Sequence, residues 1–181
     1  MDKKRYQEWT IGMMSVQGVH MWMYEVVKGL ARIDAKLVDE DKWVSSVLDW
    51  NIQSSEDVDR LSDHLTISGL WVMGAYEFVR TFRQRLKNNK HYQLAIFKDL
   101  VEKYEKVRIP LAKLEAPRNF PELSVIARPA IQVGYGICWK VGEGEFITRR
   151  ELADALIIAI SQYRHYGDVL SFFPELKKLE E

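Results

Sequence analysis

The chain has 181 residues, of which 47% are hydrophobic and 29% are charged, with 26 basic and 26 acidic side chains. These figures are typical of one compact domain of ordinary size, spanning residues 1–181. A formal net charge of zero provides no overall field for attracting nucleic acid or an anionic membrane, so a charged partner requires a local patch. The single cysteine excludes a disulfide framework and a zinc site built from clustered cysteines.

The N-terminal segment does not have the pattern of a signal peptide. Its basic residues are followed by Tyr6, Gln7, Glu8 and Trp9 rather than by an apolar stretch with a cleavage site. The longest uncharged stretch, residues 9–24, is shorter than the about 20 apolar residues that a membrane span requires. We therefore expect a cytoplasmic protein with no membrane partner.

Apolar residues at steps of three and four predict a first helix over residues 13–37. Gly12, Gly18 and Gly29 each disfavour a helix interior, so the apolar pattern does not define where this helix starts. A short helix or turn over residues 41–50 is expected to lead to the next element.

The strongest helical signal covers residues 55–87. Ser54 and Asp57 have the spacing of a capping box, and apolar residues follow every three or four positions. Such a helix would be about 50 Å long. Residues 65–76 are apolar or small on every side, which predicts a central helix surrounded by others. We expect the core to include Leu65, Leu70, Trp71, Val72, Ala75, Tyr76, Leu100, Leu156 and Ile160.

The second half of the chain predicts shorter elements. A helix over residues 91–106 is followed by a short separate helix over residues 110–115, because Pro110 can open a helical turn but cannot continue one. An irregular segment is then marked by prolines at positions 117, 121 and 129.

Alternating apolar residues over 137–141, followed by turn residues over 142–145, predict a small β-hairpin. Thr148 and Glu151 form a second capping box that starts the C-terminal helix. The predicted fold is mainly α: a helical bundle around one long central helix, with a β-hairpin inserted before the last helix.

A basic run with interleaved aromatic residues ends the central helix. Between residues 80 and 98 there are six bases and no acid, whereas residues 34–63 carry nine acids and three bases. Bases beside aromatic rings suit a phosphate backbone with stacked bases. The alternative is that acids at the start of a helix and bases at its end complement the helix dipole. The candidate anion-binding or nucleic-acid-binding residues are Arg80, Arg83, Arg85, Lys87 and Lys90.

Within this run, Arg85 and His91 are separated by five residues across a predicted turn between helices. The spacing resembles the Arg-x(4–6)-His signature of the HEPN nucleases, small helical bundles that cleave RNA without a metal. Leu86 departs from that signature, which usually has a polar residue after the arginine. The resemblance implies proton transfer by His91 and phosphate binding by Arg85. A solvated turn is the alternative.

Charged residues on the central helix suggest a polar network. Glu77, Arg80 and Arg83 lie on an otherwise apolar segment. Partners for them could come from the ends of later elements, namely Arg108, Arg149, Arg150, Glu151 or Asp154. Such charges form either a buried, paired network or the exposed strip of a covered helix.

Methionines and tryptophans near the N-terminus are candidates for a protein interface. Flexible thioethers beside indoles can form an adaptable groove, although they can equally be core. The residues concerned are Trp9, Met13, Met14, Met21 and Trp22.

The leading functional hypothesis is a non-catalytic binding or assembly protein that acts through an apolar helix face, with a homo-oligomer or another protein as partner. The alternative is an RNA-binding protein or a HEPN-like, metal-independent endoribonuclease. No metal site and no cofactor is expected, because no metal-ligand or phosphate-loop spacing occurs.

Overall fold

A computed structural model describes residues 1–17, 20–47, 54–88 and 93–163. Over these residues the fold is mainly α-helical, with a small antiparallel sheet before the last helix, as predicted. The elements are α1 (Lys3–Gln17), α2 (Met21–Val47), α3 (Ser55–Asn88), α4 (Leu94–Lys113), β1 (Arg128–Gln132), β2 (Gly136–Lys140), β3 (Phe146–Thr148) and α5 (Arg149–Gln162).

The predicted first helix over residues 13–37 is wrong, because the segment belongs to two helices, α1 and α2. His20 begins α2 as a cap: its Nδ1 accepts a hydrogen bond from the Trp22 N–H at 3.2 Å, and its carbonyl accepts from the Met23 N–H at 3.0 Å. Helix α2 then continues to Val47. The described part of the short element predicted over residues 41–50 therefore belongs to α2. The sequence pattern did not predict one continuous helix here, because the buried acid Asp41 interrupts the apolar periodicity.

The long helix predicted over residues 55–87 is confirmed as α3. The Ser54 hydroxyl accepts a hydrogen bond from the Asp57 N–H at 3.1 Å, so the predicted N-terminal cap is present. Helix α3 packs against α2, α4 and α5. Its Trp71 meets Trp9 of α1 edge to face, with ring centroids 6.4 Å apart.

Helix α4 continues through Pro110 to Lys113, so the separate helix predicted over residues 110–115 is wrong. Proline removes one backbone donor, but the buried Val107 and Pro110 and the contact of Leu111 with Gly69 hold this last turn on the core. The helix ends at Leu114, which has the left-handed conformation of a helix C-cap.

The predicted hairpin is present as β2 and β3, and a third strand, β1, pairs antiparallel with β2. Strand β1 lies in the segment expected to be irregular. Pro129 stands opposite Trp139 in it, which is compatible with an edge strand. The Thr148 and Glu151 capping box starts α5 as predicted, with the Thr148 hydroxyl accepting from the Glu151 N–H at 2.9 Å.

Most of the predicted core is buried, including Trp71, Val72, Leu156 and Ile160. Leu65 is only partly buried against that core. The prediction that Leu70 belongs to the core is wrong, because 58% of its surface is exposed. Among the described residues, nothing covers the side of α3 that carries Leu70, so the expectation of a helix surrounded on every side is not met there.

Candidate functional site

A network of buried charged side chains joins α1, α2, α3 and α5. At its centre is Asp34 of α2, which is fully buried. Its Oδ2 accepts hydrogen bonds from Arg5 Nε at 2.5 Å and from Trp9 Nε1 at 2.9 Å. Its Oδ1 accepts from Nη1 of the buried Arg149 on α5. Both oxygens of this carboxylate are therefore occupied by charged or aromatic donors.

Arg149 extends the network to a second buried carboxylate, Asp41. Its Nη2 donates to Asp41 Oδ2, and Asp41 Oδ1 lies 2.9 Å from Nε2 of the buried His64 on α3. Strand β2 approaches Asp41 so closely that a Cβ placed on Gly136 would lie 2.7 Å from the Asp41 Cβ. Gly136 also has a φ of +79°, so this position requires glycine on both grounds.

The charges of the buried network cancel, because Arg5 and Arg149 face Asp34 and Asp41. Burial alone would lower the pKa of Arg5, but the carboxylates of Asp34 and Asp154 raise it above its ordinary value. The charged groups of this network are buried and come from different helices, so the network holds α1, α2 and α5 against one another.

Sequence reasoning missed this network. Asp34 and Asp41 lie seven residues apart among buried apolar residues of α2. Two acids on the apolar side of a helix were the one sequence feature that could have indicated a buried charged network. Their partner Arg149 lies more than a hundred residues away in the chain, and no local pattern could have assigned it.

The predicted buried network of Glu77, Arg80 and Asp154 does not exist as such. Glu77 and Arg80 form an exposed ion pair at 2.8 Å, and the Glu77 carboxylate also lies 3.6 Å from Arg108. Asp154 is half-exposed and instead accepts from Arg5 Nη1 at 2.5 Å. The prediction of burial is wrong because these three side chains lie at the solvent-facing sides of α3 and α5.

Part of the predicted basic run is brought together on α3. Arg80, Arg83 and Lys87 line one open pocket of about 280 Å³, which we call the basic pocket. The Arg83 Nε is buried there without a hydrogen-bond partner. Arg85 is half-buried and does not line it. Lys90 and His91 lie outside the described residues.

The predicted Met and Trp interface divides into two groups. Trp9 and Met13 are buried in the core, so they are not available to a partner. Met14, Met21 and Trp22 are exposed, with 67% of the Trp22 surface accessible.

Large apolar side chains are exposed on one side of α2 and on one side of α3, and we call these two sides together the α2–α3 face. The residues are Trp22, Val26 and Ile33 of α2 and Ile67 and Leu70 of α3. Ile33 and Ile67 line the same groove, so the two sides meet there. Single exposed apolar residues are common, whereas larger exposed apolar patches are typical of interaction sites.

One end of the α2–α3 face contains a groove of about 400 Å³, which we call the α2–α3 groove. Its apolar part is formed by Ile33, Leu37 and Ile67, and His64 also lines it. While His64 Nε2 faces Asp41, its Nδ1 is buried without a hydrogen-bond partner. This volume falls within the range of small-molecule and side-chain pockets.

Among the residues described, no helix combines the length and apolar character needed to cross a membrane. Over the same ranges, no cluster of three or more His, Cys, Asp or Glu side chains is arranged to hold a metal ion. No protein-family model, curated protein or solved structure matches the chain.

Proposed function

We propose that this chain is an α-helical binding or assembly protein that acts through the α2–α3 face. The observation that carries the proposal is the exposure of Trp22, Val26, Ile33, Ile67 and Leu70 on one surface. Covering such a surface releases the water that contacts it, and aromatic residues such as Trp22 dominate the energetics of many interfaces.

The charge of the chain supports association as well. The formal net charge is zero, so two copies of the chain do not repel one another through their overall fields. A net charge near zero also promotes association between molecules.

Replacing Leu70 with glutamate is expected to abolish assembly. An unpaired carboxylate buried in an interface costs several kcal/mol, which corresponds to a dissociation constant raised by about 100-fold or more. The mass of the purified chain in solution, measured over a range of concentrations, checks this result.

Ile158→Glu is the matched control. Ile158 is 55% exposed on α5, close to the 58% of Leu70, but it lies outside the α2–α3 face. Its replacement should leave the mass unchanged. Equal effects of the two substitutions, or none from Leu70→Glu, would contradict the proposal.

The basic pocket favours a second candidate function, the binding of RNA or another phosphate-bearing ligand. Arg83 and Lys87 have no ion-pair partner among the described residues, and both line the basic pocket, so their positive charges favour a phosphate group there. The ribonuclease hypothesis additionally assigns phosphate binding to Arg85, which does not line the basic pocket, and proton transfer to His91, which lies outside the described residues.

Under this second function, Arg83→Glu should weaken binding to single-stranded RNA and flatten its salt dependence, since each phosphate contact contributes slightly less than one unit of slope. Arg118→Glu, at an exposed loop position, is the control for the change in net charge. Cleavage that persists in chelator and is lost in His91→Ala would support the ribonuclease. Absence of RNA binding at low salt would exclude both forms of the proposal.

A further inference from the structure

One side of α2 is exposed along several turns of the helix. Trp22, Val26, Gly29, Ile33 and Lys36 follow this side at steps of three and four residues, and three of them are large and apolar. Within the described chain, this side of α2 is not covered.

Gly29 is at the middle of this exposed side of α2 and is itself exposed. A Cβ placed on it would meet nothing within 4 Å, so the packing of this chain does not require glycine there. Glycine in a helix interior is destabilising, and a second backbone approaching closely is a physical reason to have it.

A second exposed glycine lies beside the first. Helices α2 and α3 are antiparallel, because Trp71 of α3 donates to the Leu30 carbonyl at 2.9 Å while His64 contacts Asp41. Gly74 of α3 is therefore level with Gly29, and a Cβ on it would lie 3.6 Å from the Leu30 side chain. The two glycines form a shallow centre of the α2–α3 face.

We propose that a second copy of this chain docks on the α2–α3 face around a two-fold axis beside Gly29 and Gly74. The inference rests on the proposed function and names its partner. In this arrangement α2 packs antiparallel on α2 of the other copy, and α3 on α3. Each contact is then made twice, as a two-fold interface requires.

The axis places Trp22 of each copy at the α2–α3 groove of the other. Trp22 and Lys36 are seven residues on either side of Gly29, about 10 Å along the helix in each direction. Lys36 lines the groove, together with the apolar Ile33. An indole inserted there covers the apolar walls formed by Ile33 and Ile67.

The same axis pairs opposite charges at the rim. Glu25 precedes Gly29 by four residues and Arg32 follows it by three. The two-fold axis therefore places Arg32 of one copy opposite Glu25 of the other. Asp63 and Arg85 lie eleven residues on either side of Gly74, which brings them together in the same way. Within the described chain, Arg32, Asp63 and Arg85 have no ion-pair partner of their own, whereas Glu25 lies 3.5 Å from Lys28. The proposed axis therefore brings opposite charges together at two positions.

Oxidation of a Gly29→Cys variant tests the axis. Cysteines beside a two-fold axis can reach the spacing of a disulfide, so an interchain cross-link is expected. The native Cys138 does not interfere, because it is buried and burial raises the pKa of its thiol. Ile158→Cys, exposed on α5, is the control that should remain uncrosslinked.

Charge reversal tests the register. Arg32→Glu should raise the dimer dissociation constant by about tenfold or more, because like charges then face each other twice. Glu25→Arg alone should do the same, and the double variant should restore the wild-type value. Far-ultraviolet circular dichroism of each variant confirms that these exposed substitutions leave the helices intact.

The possible results separate the two proposals. A dimer that is lost in Leu70→Glu but shows neither the Gly29→Cys cross-link nor charge-swap rescue would overturn the axis and leave the proposed function standing. A monomeric chain that loses a purified, different protein partner in Leu70→Glu would overturn self-association alone. A chain that is monomeric and has no Leu70-dependent partner would overturn both.

Discussion

Replacing Asp34 with asparagine is expected to lower the free energy of unfolding by about 3–5 kcal/mol, the usual range for breaking one side of a buried ion pair. The carboxylate accepts from Arg5, Trp9 and Arg149. An amide of the same shape keeps one acceptor oxygen but turns a donor towards these donors, so a buried guanidinium loses its counter-charge. Urea denaturation followed by circular dichroism measures the change.

Asp154→Asn is the control for this prediction, since Asp154 also pairs with Arg5 but is half-exposed. Its replacement should cost no more than about 1 kcal/mol, because solvent screens exposed pairs. Equal denaturation midpoints for Asp34→Asn and Asp154→Asn would show that the buried network does not stabilise the fold.

Replacing Leu156 with alanine is expected to lower the free energy of unfolding by about 2–5 kcal/mol. Leu156 is fully buried at the centre of α5, so the substitution removes apolar contacts and leaves a cavity. For a chain of this size, each kcal/mol corresponds to about 2–4 °C in the unfolding midpoint. A thermal scan would therefore show a large decrease.

Leu70→Ala makes the same chemical change at an exposed site of α3. Measured at a protein concentration low enough to keep copies apart, its effect should stay within about 0.5 kcal/mol. A large loss of stability for Leu70→Ala at that concentration would mean that this side of α3 is covered within the chain. A negligible loss of stability for Leu156→Ala would contradict the assignment of Leu156 to the core.

Local capping signals determined where two helices begin. Ser54 predicted the start of α3, and Thr148 with Glu151 predicted the start of α5, because a cap is formed by residues within one turn of each other. The hairpin of β2 and β3 was predicted for the same reason, since alternation and turn residues are local.

Boundaries that depend on tertiary packing were not predicted correctly. The continuation of α4 through Pro110 depends on contacts of its last turn with α3, which outweigh the lost backbone hydrogen bond. The extension of α2 beyond Leu37 depends on Asp41 being a core residue, and an acid is a core residue only when it has partners.

The sequence by itself determined a mainly α-helical chain with a long central helix, since helical periodicity and caps are properties of neighbouring residues. Only the tertiary structure decided which sides of those helices are covered. It placed Arg149 against Asp34 and Asp41 across more than a hundred residues, and it left Trp22 and Leu70 exposed while burying Trp9. An apolar residue has the same identity in a core and on a binding face, so its role depends on what packs against it.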